Sequence, residues 1–220
     1  WVRSGFSVLP IGFRSKRPAF DALRWTGCTV DAEGEPQAAW EMFKYRPSSD
    51  RELSLLFAGP RRNLGVVTGY NGLVVLDFDV RDAYDAWSSW ARAEGGLAAR
   101  VARETYRVYS ARGVHVYVVV AEPVESYKVP GIDVKGAWGY VLAPPSIHPC
   151  GHEYVATGSV IARCGRLAEV FPFERPAVHM LAPRSGEAML ADPWDTASRA
   201  VECGGEGAVS TAKGRLAVTD

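Results

Sequence analysis

The run Leu73-Val74-Val75-Leu76-Asp77-Phe78-Asp79, opened by Gly72, constrains this chain more than any other segment. It is strongly β-prone, and side chains in a strand alternate faces. Asp77 and Asp79 therefore project from one face, while Leu76 and Phe78 project from the other. Two carboxylates about 7 Å apart along a strand repel each other and gain nothing from apolar neighbours. A divalent cation relieves that repulsion, because hard ions such as Mg²⁺ take carboxylate oxygens together with substrate phosphates. The plainer alternative is the solvated end of a strand, just before a helix that starts at Asp82. Asp-x-Asp alone does not decide between them.

Two further segments add to it. Tyr109-Ser110-Ala111-Arg112-Gly113-Val114-His115-Val116-Tyr117-Val118 places a hydroxyl, a guanidinium and a glycine in a turn, with His115 just inside the next strand. Ser110 and Arg112, with backbone N–H groups in the turn, suit a triphosphate, and His115 suits a phosphate oxygen. An ordinary hairpin with a strand histidine is the alternative. In Val129-Pro130-Gly131-Ile132-Asp133-Val134-Lys135-Gly136, Asp133 stands in a short apolar strand bracketed by glycines. Lys135 shares its face at i+2, as an ion pair or as a phosphate contact. Three carboxylates on neighbouring strands, with a histidine and an arginine opposite, match nucleotidyl transfer. Metal ions held by carboxylates activate a 3′-hydroxyl and stabilise pyrophosphate, while cations neutralise the triphosphate.

Around these motifs, strands are expected at residues 6–11, 64–68, 73–80, 107–109, 114–120, 131–134 and 140–143, the last closed by Pro144-Pro145. The turn Gly69-Tyr70-Asn71-Gly72 reads as a hairpin-like link between 64–68 and 73–80. A helix is expected after Pro36, with Trp40 and Phe43 on one face. Another is expected over 82–94, with Tyr84, Trp87 and Ala91 aligned and Gly95-Gly96 as its stop. The pattern indicates an α+β sheet with helices on one face. Beyond about Pro183 the periodicity fades, apart from a possible short helix at 194–202. We divide the chain into a catalytic domain at 1–183 and a tail or linker at 184–220.

Composition mainly excludes. Lys plus Arg and Asp plus Glu each number 25, so there is no support for a basic coat that wraps nucleic acid, although a local groove remains open. No apolar run approaches the roughly 20 residues of a membrane span, and the opening residues are too quickly charged for a secretion signal. A start at Trp1 reads as a segment of something longer. Cys28, Cys150, Cys164 and Cys203 are scattered, as reduced thiols of a cytoplasmic protein would be. A zinc site from Cys150, His152 and Cys164, with His148 nearby, has unusual ligand spacing, so no structural zinc is expected.

Taken in order, the acidic pair ending 73–79, the small-x-His of Gly113-Val114-His115 and the hydrophobe-Asp of Ile132-Asp133 resemble the archaeo-eukaryotic primase superfamily. The match is to the bifunctional primase–polymerase (Prim-Pol) domain of plasmid- and virus-type replication proteins. Gly5-Phe6-Ser7-Val8-Leu9-Pro10 with Lys16 and Pro18 fits that family's N-terminal segment. Leu64-Gly65-Val66-Val67-Thr68-Gly69 and the stretch from Gly131 to Tyr154 fit its later signatures. The resemblance implies an RRM-like catalytic sheet packed with an N-terminal α/β subdomain. It implies Asp77, Asp79 and Asp133 as ligands of Mg²⁺ or Mn²⁺, and Ser110, Arg112 and His115 on the incoming triphosphate. Ser146 and Lys135 are weaker members of the nucleotide site. It also implies a single-stranded DNA template, a primer strand, dNTP or NTP, and a helicase domain downstream, in a prokaryotic, plasmid or viral setting. The zinc-bearing insertion of some relatives has no room in residues 146–154, which makes extension a firmer expectation than primer initiation.

Two other classes compete. A nicking replication initiator needs a His-hydrophobe-His strand motif, where this chain has His115-Val116-Tyr117. A catalytically silent RRM-like nucleic-acid-binding module would stack bases on exposed sheet aromatics, for which Phe78 and Tyr117 are the strand residues. Clustered carboxylates facing phosphate count against it.

Overall fold

Residues Val114–Val120 are β-branched or aromatic at every position except His115, and all seven are buried. A strand reaches that state only when both faces of its sheet are covered. In the computed structural model, which describes residues 1–24, 29–30, 36–37 and 40–173, this strand is the hub. In chain order the elements are β1 (Val8–Gly12), α1 (Phe20–Leu23), β2 (Thr29–Val30), β3 (Pro36–Gln37), α2 (Asp50–Leu56), β4 (Arg62–Val67), β5 (Leu73–Phe78), α3 (Arg81–Glu94) and α4 (Gly96–Glu104). They continue with β6 (Arg107–Tyr109), β7 (Val114–Val120), β8 (Tyr127–Val129), β9 (Ile132–Lys135), β10 (Tyr140–Ala143), β11 (Val155–Thr157) and β12 (Ala162–Cys164).

The fold is mixed α+β. The large sheet runs β11-β6-β7-β5-β9-β8, and β12 lies parallel to the second half of β7. A small antiparallel sheet runs β1-β4-β10. One face of the large sheet offers Val74, Leu76, Phe78, Val114, Val116 and Val118 to Trp87, Ala91 and Val101 of the helices. The other face offers Leu73, Val75, Tyr117 and Val119 to a core shared with Val8, Val66 and Val141 of the small sheet. The two long helices α3 and α4 thus occupy one face, as the pattern indicated, whereas α1 and α2 bury Leu23 and Leu56 in the core on the other side.

Helix α3 spans nearly the expected residues. Tyr84, Trp87 and Ala91 are all buried, and the Trp87 indole N–H donates to Val170 O at 3.0 Å. Gly95-Gly96 ends α3 but not the helical region, because α4 starts at once from Gly96. Helix α2 was not expected, although Ser49 and Glu52 form a reciprocal capping box at its start. After Pro36 the chain forms strand β3, and Trp40 leads instead into a short 3₁₀ turn, Glu41–Lys44, that buries Phe43 completely.

A second expectation is overturned. β4 and β5 do not form a hairpin: β4 pairs with β1 and β10, whereas β5 pairs with β7 and β9. The Tyr70-Asn71-Gly72 link carries the chain from the small sheet to the large one. Asn71 (φ 50°) and Gly72 (φ 72°) both take left-handed backbone, and a Cβ on Gly72 would lie 2.3 Å from Val120 O. The turn chemistry was legible, but the partners of the strands that it joins are set elsewhere in the chain. Residues 194–202, the tail, Cys28 and Cys203 lie outside the described residues. No described helix is long and apolar enough to cross a membrane.

Candidate active site

Register brings the motifs together. Across the large sheet His115 of β7 pairs with Asp77 of β5, Asp77 with Asp133 of β9, and Asp133 with Lys128 of β8. Directly paired residues share a face, so four side chains stand in one row across four strands. The row lies on the face turned toward the small sheet, where the apolar contacts of Val75 and Tyr117 give way to polar groups. Asp79 follows immediately after β5, its N–H donating to Gly131 O at 3.0 Å.

The charges in the row are unevenly balanced. Asp133 is 8% exposed. Burial pushes its carboxyl up, but hydrogen bonds from Lys135 and Lys128 outweigh that and leave it below the usual carboxylate range. Both lysines reach the same oxygen, Oδ2, at 2.8 and 2.9 Å. Asp79 has no such partner among the described residues. Partial desolvation and then the charges of Asp77 and Asp133 hold its carboxyl above the ordinary value. His115 Nε2 lies 3.3 Å from Asp77 Oδ1. Burial lowers the imidazole pKa, with Lys16 and Lys135 acting in the same direction and Asp77 opposing, so the ring is neutral at neutral pH. Its Nδ1 is buried with no hydrogen-bond partner among the described residues.

The β6–β7 turn closes over the row. Ser110 N donates to Gly113 O at 3.0 Å, and Gly113 N donates to Ser110 Oγ at 3.1 Å. A Cβ on Gly113 would lie 1.8 Å from Phe78 O, so no side chain fits there. The small residue two before His115 is therefore a packing requirement: it lets the turn press on the end of β5, between Asp77 and Asp79. Arg112, at the tip, is exposed, and with Lys16 it acts on His148, whose pKa burial and these cations lower to about 4.

A polar cleft of about 60 Å³ results, lined by Lys16, Asp77, Asp79, Ser110, Arg112, Gly113, His115, His148 and Tyr154. A larger cleft of about 420 Å³ near Trp1, Phe57 and Pro145 contains no carboxylate, imidazole or hydroxyl. The carboxylates, imidazoles and hydroxyls line the smaller one.

Of the expected site residues, Asp77, Asp79, Ser110, Arg112 and His115 line the cleft, and Asp133 joins them through the row. Lys135 is the ion-pair partner of Asp133 and does not line the cleft. Ser146 is set apart. It is fully buried, and its hydroxyl accepts from Leu64 N at 2.9 Å and donates to Leu64 O at 3.2 Å, which ties the loop after β10 to β4. Lys16, His148 and Tyr154 were not read as site residues. Lys16 appeared only in the family's N-terminal segment, with no role attached. Tyr154 is 4% exposed, and its ring stands 5.9 Å from that of His115. Cys164 is in the helix-side core, whereas Cys150 is exposed beside His148, whose Nδ1 lies 3.0 Å from its Sγ.

The donor set suits a hard divalent cation: carboxylate oxygens from adjacent strands, with Asp79 destabilised by its like-charged neighbours. Among the described residues, no three His, Cys, Asp or Glu side chains already converge on one point. Asp133 is occupied by its two lysines instead.

A family model described as bifunctional DNA primase/polymerase, N-terminal, matches residues 1–171. No curated protein matches the chain.

Proposed function

Because the chain belongs to the Prim-Pol family of bifunctional DNA primase/polymerases, we propose that it performs template-directed nucleotidyl transfer, extending primers from dNTPs and making them from NTPs or dNTPs. The row His115–Asp77–Asp133, with Asp79 beside it, carries this reading. Asp77, Asp79 and Asp133 would hold Mg²⁺ or Mn²⁺. The bound ions supply Lewis-acid stabilisation of the attacking and leaving oxygens. Arg112, Lys16 and the Ser110 hydroxyl face the same cleft and supply positive charge and hydrogen bonds for phosphate oxygens. Neutral His115, with Nε2 3.3 Å from Asp77 Oδ1, orients that carboxylate. Lys128 and Lys135 keep Asp133 ionised and fix its position. The antiparallel sheet with α3 and α4 on one face supports the RRM-like reading of the catalytic half, and we assign catalysis to residues 1–183.

A silent nucleic-acid-binding module fits less well. Phe78 and Tyr117 have no exposed surface, so neither offers its ring to a base.

The test is primer extension on a single-stranded template, with labelled primer, dNTPs and Mn²⁺ or Mg²⁺. The parent extends, and Asp77→Ala and Asp79→Ala do not. A folded parent that fails to extend with either metal refutes the proposal. Omitting the primer and supplying ATP with dNTPs then separates primase from polymerase activity.

A further inference from the structure

The carboxylate row leaves the seat of the template strand unassigned. In the loop between β9 and β10, Trp138 is 51% exposed and adopts φ 70°. Bulky side chains rarely take left-handed backbone, and here no burial of the ring compensates for it. Tyr45, 70% exposed, lies against it with ring centroids 5.2 Å apart. Lys44 Nζ stands 5.9 Å from the Trp138 ring and 4.5 Å from the Trp40 ring. Trp40 meets Tyr140 edge-on at 5.1 Å. The Tyr140 hydroxyl donates to Lys16 O at 3.0 Å, and Lys16 lines the cleft with Asp77 and His115. A continuous path thus leads from two exposed rings, past a cation, to the catalytic row.

Exposed aromatic faces with an interleaved cation are what unpaired bases and their phosphates require. A duplex hides its base faces, so exposed stacking rings select an unpaired strand. We propose that Trp138 and Tyr45, with Lys44 between the tryptophans, form a base-stacking platform that seats the single-stranded template beside the active site. The proposal rests on the polymerase reading, but it can fail separately.

Anisotropy of a labelled oligo-dT, without nucleotide or divalent metal, reads the platform alone. Trp138→Gly removes the ring from a backbone that glycine adopts freely, so its unfolding midpoint stays at or above that of the parent. It and Tyr45→Ala each weaken dT binding by roughly fivefold to a hundredfold. Trp138→Phe retains most of the affinity. Lys44→Ala lowers the salt slope by about 0.7. Leu55→Ala, an exposed apolar position on α2, binds as the parent does.

Parent-like dT binding by folded Trp138→Gly and Tyr45→Ala overturns the platform, even if the parent extends primers. So does a parent that fails to bind dT, or an equal loss on duplex DNA. A parent that binds dT through Trp138 but never extends a primer sinks the polymerase reading and leaves the platform standing.

Discussion

The two faces of β5 have opposite characters. Toward the helices, Val74, Leu76 and Phe78 are at most 2% exposed and pack in an apolar core with residues of β7, β9, α3 and α4. Toward the small sheet, the strand begins in the same way with Leu73 and Val75 but ends in carboxylates. One face is uniform along the strand, and the other changes character halfway. The uniform face and the first half of the other supply the hydrophobic drive. The carboxylates sit where the apolar contacts with the small sheet end. Scaffold and site are therefore separated by a single residue step along one strand, and not by domains.

Substitutions one residue apart break that comparison most directly. Asp77→Asn keeps shape and removes charge, so primer extension falls by about a thousandfold or more while the urea midpoint barely moves. Leu76→Ala costs about 2–5 kcal/mol of stability, yet the folded fraction extends at the parental rate. If both variants lose stability alike, the two faces are not distinct. Gly113→Ala, with its Cβ driven against Phe78 O, tests whether the turn couples them. It costs about 3 kcal/mol, read by urea unfolding, and displaces Arg112, read as a raised KM for dNTP.

Acid separates the faces more gently. In the folded chain, burial holds His115 below its ordinary pKa, and burial with nearby cations holds His148 at about 4. Unfolded, both titrate near 6.5. Below about pH 6.5 the unfolded chain binds protons that the folded chain refuses, so stability falls with pH, and the His148 share is fully lost near pH 4. Urea midpoints drop from pH 7 to pH 5 in the parent and less in His148→Gln. The Leu76→Ala deficit stays constant over that range, since nothing in the helix-side core titrates there. Smallest of all, Lys128→Ala removes an exposed partner of Asp133 and changes stability by under about 1 kcal/mol. A larger change in the Mn²⁺ concentration needed for extension would show that this lysine tunes the row.

Much of this was legible in the sequence, for identifiable reasons. Strand alternation alone puts Asp77 and Asp79 opposite Leu76 and Phe78, and the 3.6-residue spacing of Tyr84, Trp87 and Ala91 fixes the buried face of α3. What failed depended on distant partners. The Tyr70-Asn71-Gly72 turn is a local signal, but the pairing of β4 with β1 and β10 is not. Lys16 and Tyr154 enter the cleft from segments over a hundred residues apart in the chain, with no spacing to announce them. Ser146 looked like a ligand because a hydroxyl after Pro-Pro shows no sign of its Leu64 contacts. The capping box of α2 was readable and went unread.

The central position of β5 also has a history in time. Its neighbours β7 and β9 begin at Val114 and Ile132, long after β5 ends at Phe78. At about 5–20 residues per second, a ribosome leaves both edges of this strand unpaired for a period on the order of seconds. Leu73–Phe78 is the kind of segment that recruits other chains while it waits. Its only charges, with the next residue included, are Asp77 and Asp79. Charges placed at the end of an apolar strand, as these are, disfavour its pairing with other chains during that interval.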